Sequence, residues 1–163
     1  MYKNKIVLGI ESSCDETSVS VVREKTKYDQ EILSNIVNSQ EKIHEKFGGV
    51  IPEIAARSHS MVIDKLIQSA LKKAKINLGE VDAVAATAGP GLLGGLIVGV
   101  VAAKTLASVI NKPFIAINHL EGHALSAKLE HKIKYPYLLL LVSGGHTEFT
   151  IIKGFNNYIR IGT

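Results

Sequence analysis

Strand-like and helix-like segments alternate along residues 81–130, and this alternation is the feature that most constrains the fold. "VDAVAATA" is a short apolar run typical of a buried strand, and "GPGLLGGLIVGVVAAKTLASVI" follows it as a helix that opens on glycines. "PFIAIN" is a second buried strand, and "HLEGHALSAKLE" has the pattern of a second helix. Strands joined through helices run parallel, so we expect a parallel sheet here with helices on both faces.

The chain before this alternating segment has the pattern of antiparallel strands and one long helix. "KIVLGI" and "TSVSVVRE" flank the turn-forming "ESSCDE" as a hairpin, and "EILSNIVNSQ" continues as a third strand. We predict a loop over 41–53, which contains two glycines and a proline, and an amphipathic helix over 53–74.

The chain after residue 135 carries strand patterns only. "YPYLLLLVSGG", "HTEFTIIKG" and "YIRIG" follow one another with no helix pattern between them, and three strands without a covering helix cannot bury both faces. The predicted fold is therefore an α/β lobe with a mixed sheet over residues 1–134, followed by the first strands of a second lobe over 135–163. We expect a fragment of a longer protein.

Composition excludes several classes of protein. Hydrophobic residues make up 46% and charged residues 21% of the chain, values typical of a globular domain. Cys14 is the only cysteine, and no signal peptide pattern precedes the first strand, so we expect a cytoplasmic protein. The longest apolar run is shorter than the roughly 20 residues that a bilayer span requires, so no membrane segment is predicted. The net charge of +4 permits association with a polyanion without predicting one.

His119 and His123 are four residues apart in the last predicted helix, directly after a predicted parallel strand. Residues at this spacing share one helix face, and ligand-binding residues collect at the carboxyl ends of parallel strands. The pair is a candidate metal site, and two unrelated histidines on a helix are the alternative. The zinc-protease pattern H-E-x-x-H is absent, because Glu121 lies two residues from His119 and faces elsewhere.

"GPGLLG", residues 89–94, matches the dinucleotide-binding pattern G-x-G-x-x-G after a strand. The next strand ends without the acidic residue that would hold a ribose. We favour the alternative that Gly91, Gly94, Gly95 and Gly99 let this helix approach a neighbouring element closely.

Two turns carry polar groups that bind ligands in other proteins. "LVSGGH" is either a phosphate-binding turn or a plain hairpin, and "GIESSCDET" is either a cation-binding group or a solvated acidic turn. His59 falls on the apolar face of its predicted helix and is expected to be a hydrogen-bonded core residue. His44 and His131 are predicted to lie on the surface.

"GIESSCDET", "GGVIPEIAARSH", "TAGPGLLGGLIVG", "HLEGH" and "LLLVSGGHT" together resemble the family of tRNA adenosine threonylcarbamoyltransferases. The resemblance implies the actin-like ATPase fold, also called ribonuclease H-like. It implies transfer of threonylcarbamoyl from threonylcarbamoyl-AMP to N6 of adenosine 37, in tRNAs that read codons beginning with A. The C-D-E-T form of the first motif resembles the bacterial and mitochondrial branch of the family.

The resemblance also implies roles for particular residues of this sequence. His119 and His123 correspond to ligands of one divalent metal ion, iron(II) or zinc. Leu141, Val142, Ser143, Gly144 and Gly145 correspond to residues that line the pocket for the substrate and its adenine nucleotide, threonylcarbamoyl-AMP or ATP. Asp15 and Glu16 correspond to acidic residues near that pocket and are expected to be catalytic.

The family's partners are tRNA, a paralogous actin-like scaffold subunit and a small ATPase of the modification complex. Family members are about twice the length of this chain, and their second half supplies a third metal ligand, so the resemblance implies a fragment that is inactive alone. Two alternatives are the non-catalytic scaffold itself, which lacks the paired histidines, and an ATPase lobe of the sugar or acid kinase type.

Overall fold

The computed structural model describes residues 4–26, 29–131 and 133–163. The chain divides into two compact units, Met1–His119 and Leu120–Thr163. The two lobes predicted from the strand and helix patterns, 1–134 and 135–163, stay a prediction.

Unit 1 contains a five-stranded mixed sheet with the strand order β3-β2-β1-β4-β5. The first three strands are antiparallel, as the hairpin pattern predicts, while β4 runs parallel to β1 and β5 runs parallel to β4. The strands are β1 Ile6–Glu11, β2 Glu16–Thr26, β3 Asp29–Ser39, β4 Ala83–Gly89 and β5 Phe114–Asn118.

In the described part of the chain, four α-helices follow or separate these strands. They are α1 Glu41–His44, α2 Pro52–Ala74, α3 Leu93–Val109 and α4 His119–Glu130. Short 3-10 turns occupy Glu45–Phe47 and Leu78–Glu80. The predicted loop over 41–53 is therefore partly helical, and α1 escaped prediction because four residues are too few to show helical periodicity.

The core of unit 1 lies between one face of the sheet and the helices α2 and α3. Leu8, Val19 and Val84 are 0% exposed on that face and pack with Ile63 and Ala103 from the two helices. The opposite face carries small and polar residues around an open pocket of about 190 Å³, lined among others by Gly9, Ser18, Ser20, Ala85 and Thr87. Within unit 1, the parallel arrangement is confirmed. The helices α2 and α3 both lie on one face of the sheet, and cover of both faces stays a prediction.

Unit 2 contains most of α4 and an antiparallel three-stranded sheet in the order β6-β7-β8. Its strands are β6 Tyr137–Val142, β7 Thr147–Gly154 and β8 Asn157–Gly162. Side chains alternate between the two faces of such a sheet. One face is buried, with Ile152 at 0% and Thr150 at 6% exposure. The other is apolar and exposed, as expected for strands without a cover; its side chains are 40–67% exposed and belong to Leu138, Leu140, Val142, Phe149, Ile159 and Ile161.

Candidate functional site

The turn between β1 and β2 is held against the start of α3. Ser12 and Ser13 are 1% and 2% exposed, although both are polar. The Ser12 hydroxyl donates to the Gly95 carbonyl at 2.8 Å, and the Leu92 amide donates to the Ser13 carbonyl at 2.8 Å. A buried polar group without a partner costs about 1–3 kcal/mol, so these bonds stabilise the turn in one position. The serine half of the turn is therefore structural and not a solvated loop.

Glycines of α3 and the segment before it make this close approach possible. A Cβ at Gly91 would lie 2.8 Å from a carbonyl oxygen of the turn, and a Cβ at Gly95 or Gly99 would overlap with the turn. Gly94 approaches α2 in the same way, since its Cβ would lie 3.0 Å from that of Ala56. The prediction that these glycines allow close packing is confirmed.

Glu11 is the last residue of β1, and hydrogen-bond donors surround its carboxylate. The Ser13 backbone amide donates to Oε1 at 2.5 Å, and the Thr87 hydroxyl donates to Oε2. Thr87 belongs to β4, whose carboxyl end lies beside that of β1 because the two strands are parallel neighbours. Two adjacent strands thus fix one carboxylate at the carboxyl-terminal end of the parallel strands.

His119 follows β5, the next parallel strand, and its imidazole meets this carboxylate. Nδ1 lies 3.2 Å from the Ser13 hydroxyl oxygen and 3.5 Å from Oε2 of Glu11. The two side chains are partly exposed, at 24% for His119 and 33% for Glu11. The prediction that His119 lies at a functional edge of the sheet agrees with this cluster of Glu11, Ser13, Thr87 and His119, which we call the carboxylate–histidine cluster.

Burial raises the pKa of Glu11, but the surrounding hydrogen bonds outweigh this effect. The side chains of Ser13 and Thr87 and the Ser13 backbone amide all stabilise the charged form, and nearby His119 adds to them. The pKa of Glu11 is consequently lower than usual, and the carboxylate is ionised at neutral pH.

A buried histidine supports the same turn from α2. His59 is 0% exposed, and its Nε2 lies 3.1 Å from the Cys14 carbonyl oxygen. Its Nδ1 lies 2.7 Å from the Thr17 hydroxyl and 3.2 Å from the Gln40 side-chain nitrogen. The prediction that His59 is a hydrogen-bonded core residue is confirmed.

The prediction that His44 lies on the surface is wrong. His44 is 3% exposed, and its Nε2 lies 3.2 Å from Oε1 of Gln40, which is itself 0% exposed. The Ile51 amide donates to Nδ1 of His44 at 3.3 Å. The sequence around His44 is polar and short of apolar residues, so it gave no sign that a buried glutamine would hold this side chain.

His123 lies on α4 one turn after His119, and its side chain is exposed. Within 4–26, 29–131 and 133–163, no group of three or more histidine, cysteine, aspartate or glutamate side chains is close enough to hold a metal ion. The chemistry of His119 nevertheless fits a metal ligand, because metal-binding histidines characteristically donate their second ring N–H to a carboxylate or hydroxyl. The metal site at His119 and His123 stays a prediction.

Asp15 and Glu16 lie at the other side of the turn. Asp15 is partly buried, its carbonyl accepts from the Gln40 amide at 2.9 Å, and Glu16 begins β2 with an exposed side chain. Burial raises the pKa of the adjacent Cys14 thiol, and the charge and side chain of Asp15 add to this effect. The structure places the two carboxylates next to the fixed serines without testing their catalytic role.

Residues 141–145 span the end of β6 and the following turn. Leu141 is buried, whereas Val142, Ser143, Gly144 and Gly145 are exposed. The Ser143 amide donates to the His146 carbonyl at 2.8 Å, and the His146 amide donates to the Ser143 hydroxyl at 3.1 Å. Among the described residues, no atom beyond the chain neighbours would lie within 4 Å of a Cβ on either glycine, so the turn leaves its backbone open. A hairpin turn and a phosphate-binding turn both agree with this geometry.

Sequence reasoning missed Thr87, which belongs to the carboxylate–histidine cluster. A threonine near the end of a buried strand has no distinctive pattern. The parallel pairing of β1 with β4 is the signal that would have brought it beside Glu11.

A model of the tRNA N6-adenosine threonylcarbamoyltransferase family matches residues 31–163. The chain belongs to this family. A relative of that name from Bartonella bacilliformis is 58% identical over 157 residues, which cover 96% of this chain and 43% of the relative. A second, from Pelagibacter ubique, is 55% identical over 163 residues, which cover 100% of this chain and 46% of the relative. The chain thus spans less than half the length of these two family members.

Two solved structures show that the fold is that of an actin-like lobe. YeaZ from Pseudomonas aeruginosa has a TM-score of 0.62 at 17% identity, covering 98% of this chain and 65% of that chain. The PPX-GPPA enzyme of Aquifex aeolicus has a TM-score of 0.56 at 14% identity, covering 98% of this chain and 53% of that chain. The predicted fold class is confirmed by these likenesses, which at such identities concern the fold alone. No helix within 4–26, 29–131 and 133–163 is long and apolar enough to cross a membrane.

Proposed function

We propose that this chain is the first-lobe part of a tRNA N6-adenosine threonylcarbamoyltransferase. The observation that carries the proposal is the family match over residues 31–163, together with 55–58% identity to relatives of that name. The substrates are threonylcarbamoyl-AMP and tRNA, and the acceptor is N6 of adenosine 37 in tRNAs that read codons beginning with A. In the reaction the N6 amine forms a bond to the carbamoyl carbon, the bond from that carbon to the AMP phosphate oxygen breaks, and the amine loses one proton.

The residues of this chain have distinct tasks in the proposal. His119 and His123 hold the metal ion, iron(II) or zinc, from one face of α4. Such an ion, when bound, supplies Lewis acidity toward the carbamoyl oxygens of the substrate. In the turn of Ser143, Gly144 and Gly145, the N–H groups of the two glycines bind the nucleotide phosphate, and Leu141 and Val142 border it. Asp15 and Glu16 lie near the acceptor amine as candidates to receive its proton.

The proposed setting is the bacterial cytoplasm, in a complex with a paralogous actin-like scaffold subunit and a small ATPase. The chain alone is proposed to be inactive. Two histidines leave a metal ion weakly held, and the chain covers only 43–46% of the relatives' length. Further ligands and nucleotide contacts would come from the part of those relatives that this chain does not cover.

The test combines this chain with the remaining segment of the Pelagibacter ubique relative, added in trans or as a fusion. Threonylcarbamoyl-AMP, metal and unmodified tRNA are supplied, and modified adenosine is measured by mass spectrometry. We expect no product from the chain alone and product from the combination. His119→Ala in the combination should lose at least about 100-fold, because loss of a residue that only supports a metal ligand already costs about 10–100-fold.

His131→Ala is the matched control, because His131 is exposed and lies just past the end of α4. It should leave the product unchanged. Product from the chain alone would contradict the proposed inactivity, and a fully active His119→Ala combination would remove the metal from the proposal. A folded combination that yields no product under any condition would favour a scaffold role.

A further inference from the structure

Four buried polar side chains of unit 1 lie together beneath the start of α2. Thr17, Gln40 and His59 are 0% exposed, and His44 is 3% exposed. Burying such groups costs free energy unless hydrogen bonds satisfy them. The proposed function uses none of the four, so the reason for burying them lies elsewhere.

Backbone groups at the two ends of this cluster set the direction of its hydrogen bonds. The Ile51 amide only donates, so Nδ1 of His44 accepts from it and the proton of His44 is on Nε2. The Cys14 carbonyl only accepts, so Nε2 of His59 carries a proton. Gln40 lies between the two imidazoles, with Oε1 at 3.2 Å from Nε2 of His44 and Nε2 at 3.2 Å from Nδ1 of His59.

The orientation of the Gln40 amide agrees with this direction. Its oxygen accepts from His44, and its NH₂ group donates both to His59 and, at 3.5 Å, to the Ala55 carbonyl. Each member thus donates to the next, from the Ile51 amide through His44, Gln40 and His59 to the Cys14 carbonyl. We call this chain of hydrogen bonds the relay.

The relay ends on the backbone of the acidic turn. His59 donates to the Cys14 carbonyl at 3.1 Å, and the backbone amide of Gln40 donates to the next carbonyl, that of Asp15, at 2.9 Å. The relay begins at Ile51, directly before α2. It therefore joins the start of α2 to two consecutive carbonyls of the turn.

We propose that His44 is a positioning residue, which acts through Gln40 and His59 to fix the turn that carries Asp15 and Glu16. Among the described residues, no hydrogen bond joins His44 directly to the turn, so its effect passes through the relay. The link to catalysis rests on the proposed function of the two carboxylates, whereas the relay depends on the geometry of unit 1 alone.

The first measurement is a long-range ¹H–¹⁵N correlation spectrum of the imidazoles in the chain alone. It is recorded at about pH 8, above the ordinary histidine pKa of roughly 6.5. We expect the protons of His44 and His59 on Nε2, with signals assigned by comparison with His44→Phe and His59→Gln. A neutral His44 or His59 with its proton on Nδ1 would overturn the inference.

Gln40→Glu reverses one step of the relay at almost constant shape, because an acceptor replaces the NH₂ group that faces His59. The Cys14 carbonyl still requires the proton on Nε2, so we expect His59 to take up a second proton, on Nδ1, at a pH at which the wild type is neutral. The Thr17 hydroxyl, 2.7 Å from Nδ1, both donates and accepts and fits either form.

Gln30→Glu is the matched control for this reversal. It makes the same change at an exposed position of β3, the strand that ends just before Gln40, and should leave the His59 spectrum unchanged. A His59 that stays neutral in Gln40→Glu would contradict the relay.

The second measurement compares amide exchange at Gln40 and Leu92. The Gln40 amide holds the Asp15 carbonyl within the relay, whereas the Leu92 amide holds the Ser13 carbonyl from the start of α3. His44→Phe removes both hydrogen bonds of His44, and we expect exchange about 10-fold faster at Gln40, the effect of roughly one net hydrogen bond, and no change at Leu92. Equal acceleration at both amides would indicate general destabilisation and overturn the positioning role.

The third measurement uses the combination of this chain with the remaining segment of the Pelagibacter ubique relative. His44→Phe should lower kcat about 100-fold, the effect of displacing reacting groups by about 1 Å, and leave KM for tRNA unchanged. His44→Gln supplies an acceptor and a donor in place of the two ring nitrogens and should restore most of kcat. If His44→Phe does not fold, Gln40→Glu replaces it in the second and third measurements.

The outcomes separate this inference from the proposed function. A kcat that stays unchanged in His44→Phe, in an active combination, would overturn the positioning role. A wild-type combination that yields no product would count against the proposed function alone, and the spectra and amide exchange of the chain would then decide whether His44 fixes the turn.

Discussion

His59 is a neutral side chain whose proton position is set by its neighbours. The Cys14 carbonyl can only accept, so Nε2 carries the proton, and Nδ1 accepts from the Thr17 hydroxyl and the Gln40 amide. All three partners are thereby satisfied inside the core. The histidine joins α2 to the turn that carries Ser12 and Ser13.

Burial lowers the pKa of His59 below its usual value, and His44 adds to this effect. The Cys14 carbonyl and the carboxylates of Glu11 and Asp15 act in the opposite direction without reversing the shift. A depressed imidazole pKa means that the unfolded chain binds a proton at a higher pH than the folded chain does. The stabilisation is therefore complete above about pH 6.5, the ordinary pKa of histidine, and is lost as the pH falls toward the folded value.

We predict that His59→Gln flattens this pH dependence. The variant should cost about 1–3 kcal/mol at pH near 8, because at least one of the three buried partners stays unpaired. It should lose less further stability than the wild type on acidification to about pH 5. Urea unfolding followed by circular dichroism measures both quantities. His131→Gln, at an exposed position, is the control and should retain the wild-type slope; an unchanged slope in His59→Gln would refute the prediction.

At this scale the sequence allowed His59 to be predicted, because it lies on the apolar face of a periodic helix. It did not allow His44 to be predicted, because the partner that buries it, Gln40, is a polar residue at the end of a strand. Partners of buried polar groups depend on tertiary contacts that no local pattern contains.

The helix α3 contacts the rest of unit 1 through glycines and small residues. Gly95 and Gly99 bring the helix backbone against the turn, and Ala103 and Ala107 continue the contact toward the core. Since Ser13 belongs to that turn, the position of α3 also determines where the Ser13 hydroxyl meets His119.

We predict that Gly95→Ala destabilises unit 1 by about 1–3 kcal/mol, the range typical of overpacking. The added methyl group would overlap with the Ser12 backbone oxygen, which cannot rotate away as a flexible side chain can. Chemical unfolding measures the loss. Gly122→Ala is the matched control on α4, where nothing would lie within 4 Å of the Cβ; helix propensity predicts a neutral or slightly stabilising effect. Equal effects of the two variants would show that the close approach is not important.

The longer helices and strands could be predicted from periodicity, and the shorter ones could not. The helix α2 and the strand–helix–strand order from β4 to β5 were predicted because apolar positions recur regularly over many residues. The four-residue α1 lacks enough residues for a period. The alternation rule places helices beside a sheet without fixing the face for each, so the face on which α3 packs could not be predicted.

The two units differ in how much of their surface is buried. Unit 1 has a continuous apolar core, whereas the sheet of unit 2 buries one face and exposes six large apolar side chains on the other. A region with few buried apolar contacts opens at a lower free energy than a well-packed core.

We predict that native-state hydrogen exchange is slow in β4 and α3 and fast from residue 146 onward. Amides of β4 and α3 exchange only when the core of unit 1 opens, while those of β7 and β8 need only the local opening of a three-stranded sheet. Mass spectrometry of exchanged peptides measures the exchange rates of these two parts of the chain separately. Uniform protection as far as residue 163, at several protein concentrations, would contradict the expectation.

At the scale of the whole molecule, the fold class and the family were accessible from the sequence, whereas the carboxylate–histidine cluster was accessible only in part. His119 and the acidic turn were singled out separately. Their contact depends on the strand order β1-β4-β5, which places three chain segments far apart in sequence at one sheet edge. That order is a property of the folded sheet and not of any segment.

The exposed face of the β6–β8 sheet also has a consequence for the life of this chain inside a cell. Chaperones and proteases continuously act on the unfolded fraction of marginally stable proteins, and an uncovered apolar face leaves this sheet with less stabilising burial. The strand β6, with the sequence "YLLLLV", exposes Leu138, Leu140 and Val142 at more than half of their surface. We therefore expect a copy of this chain whose face stays uncovered to be degraded sooner than a covered copy, so that its abundance in the cell falls.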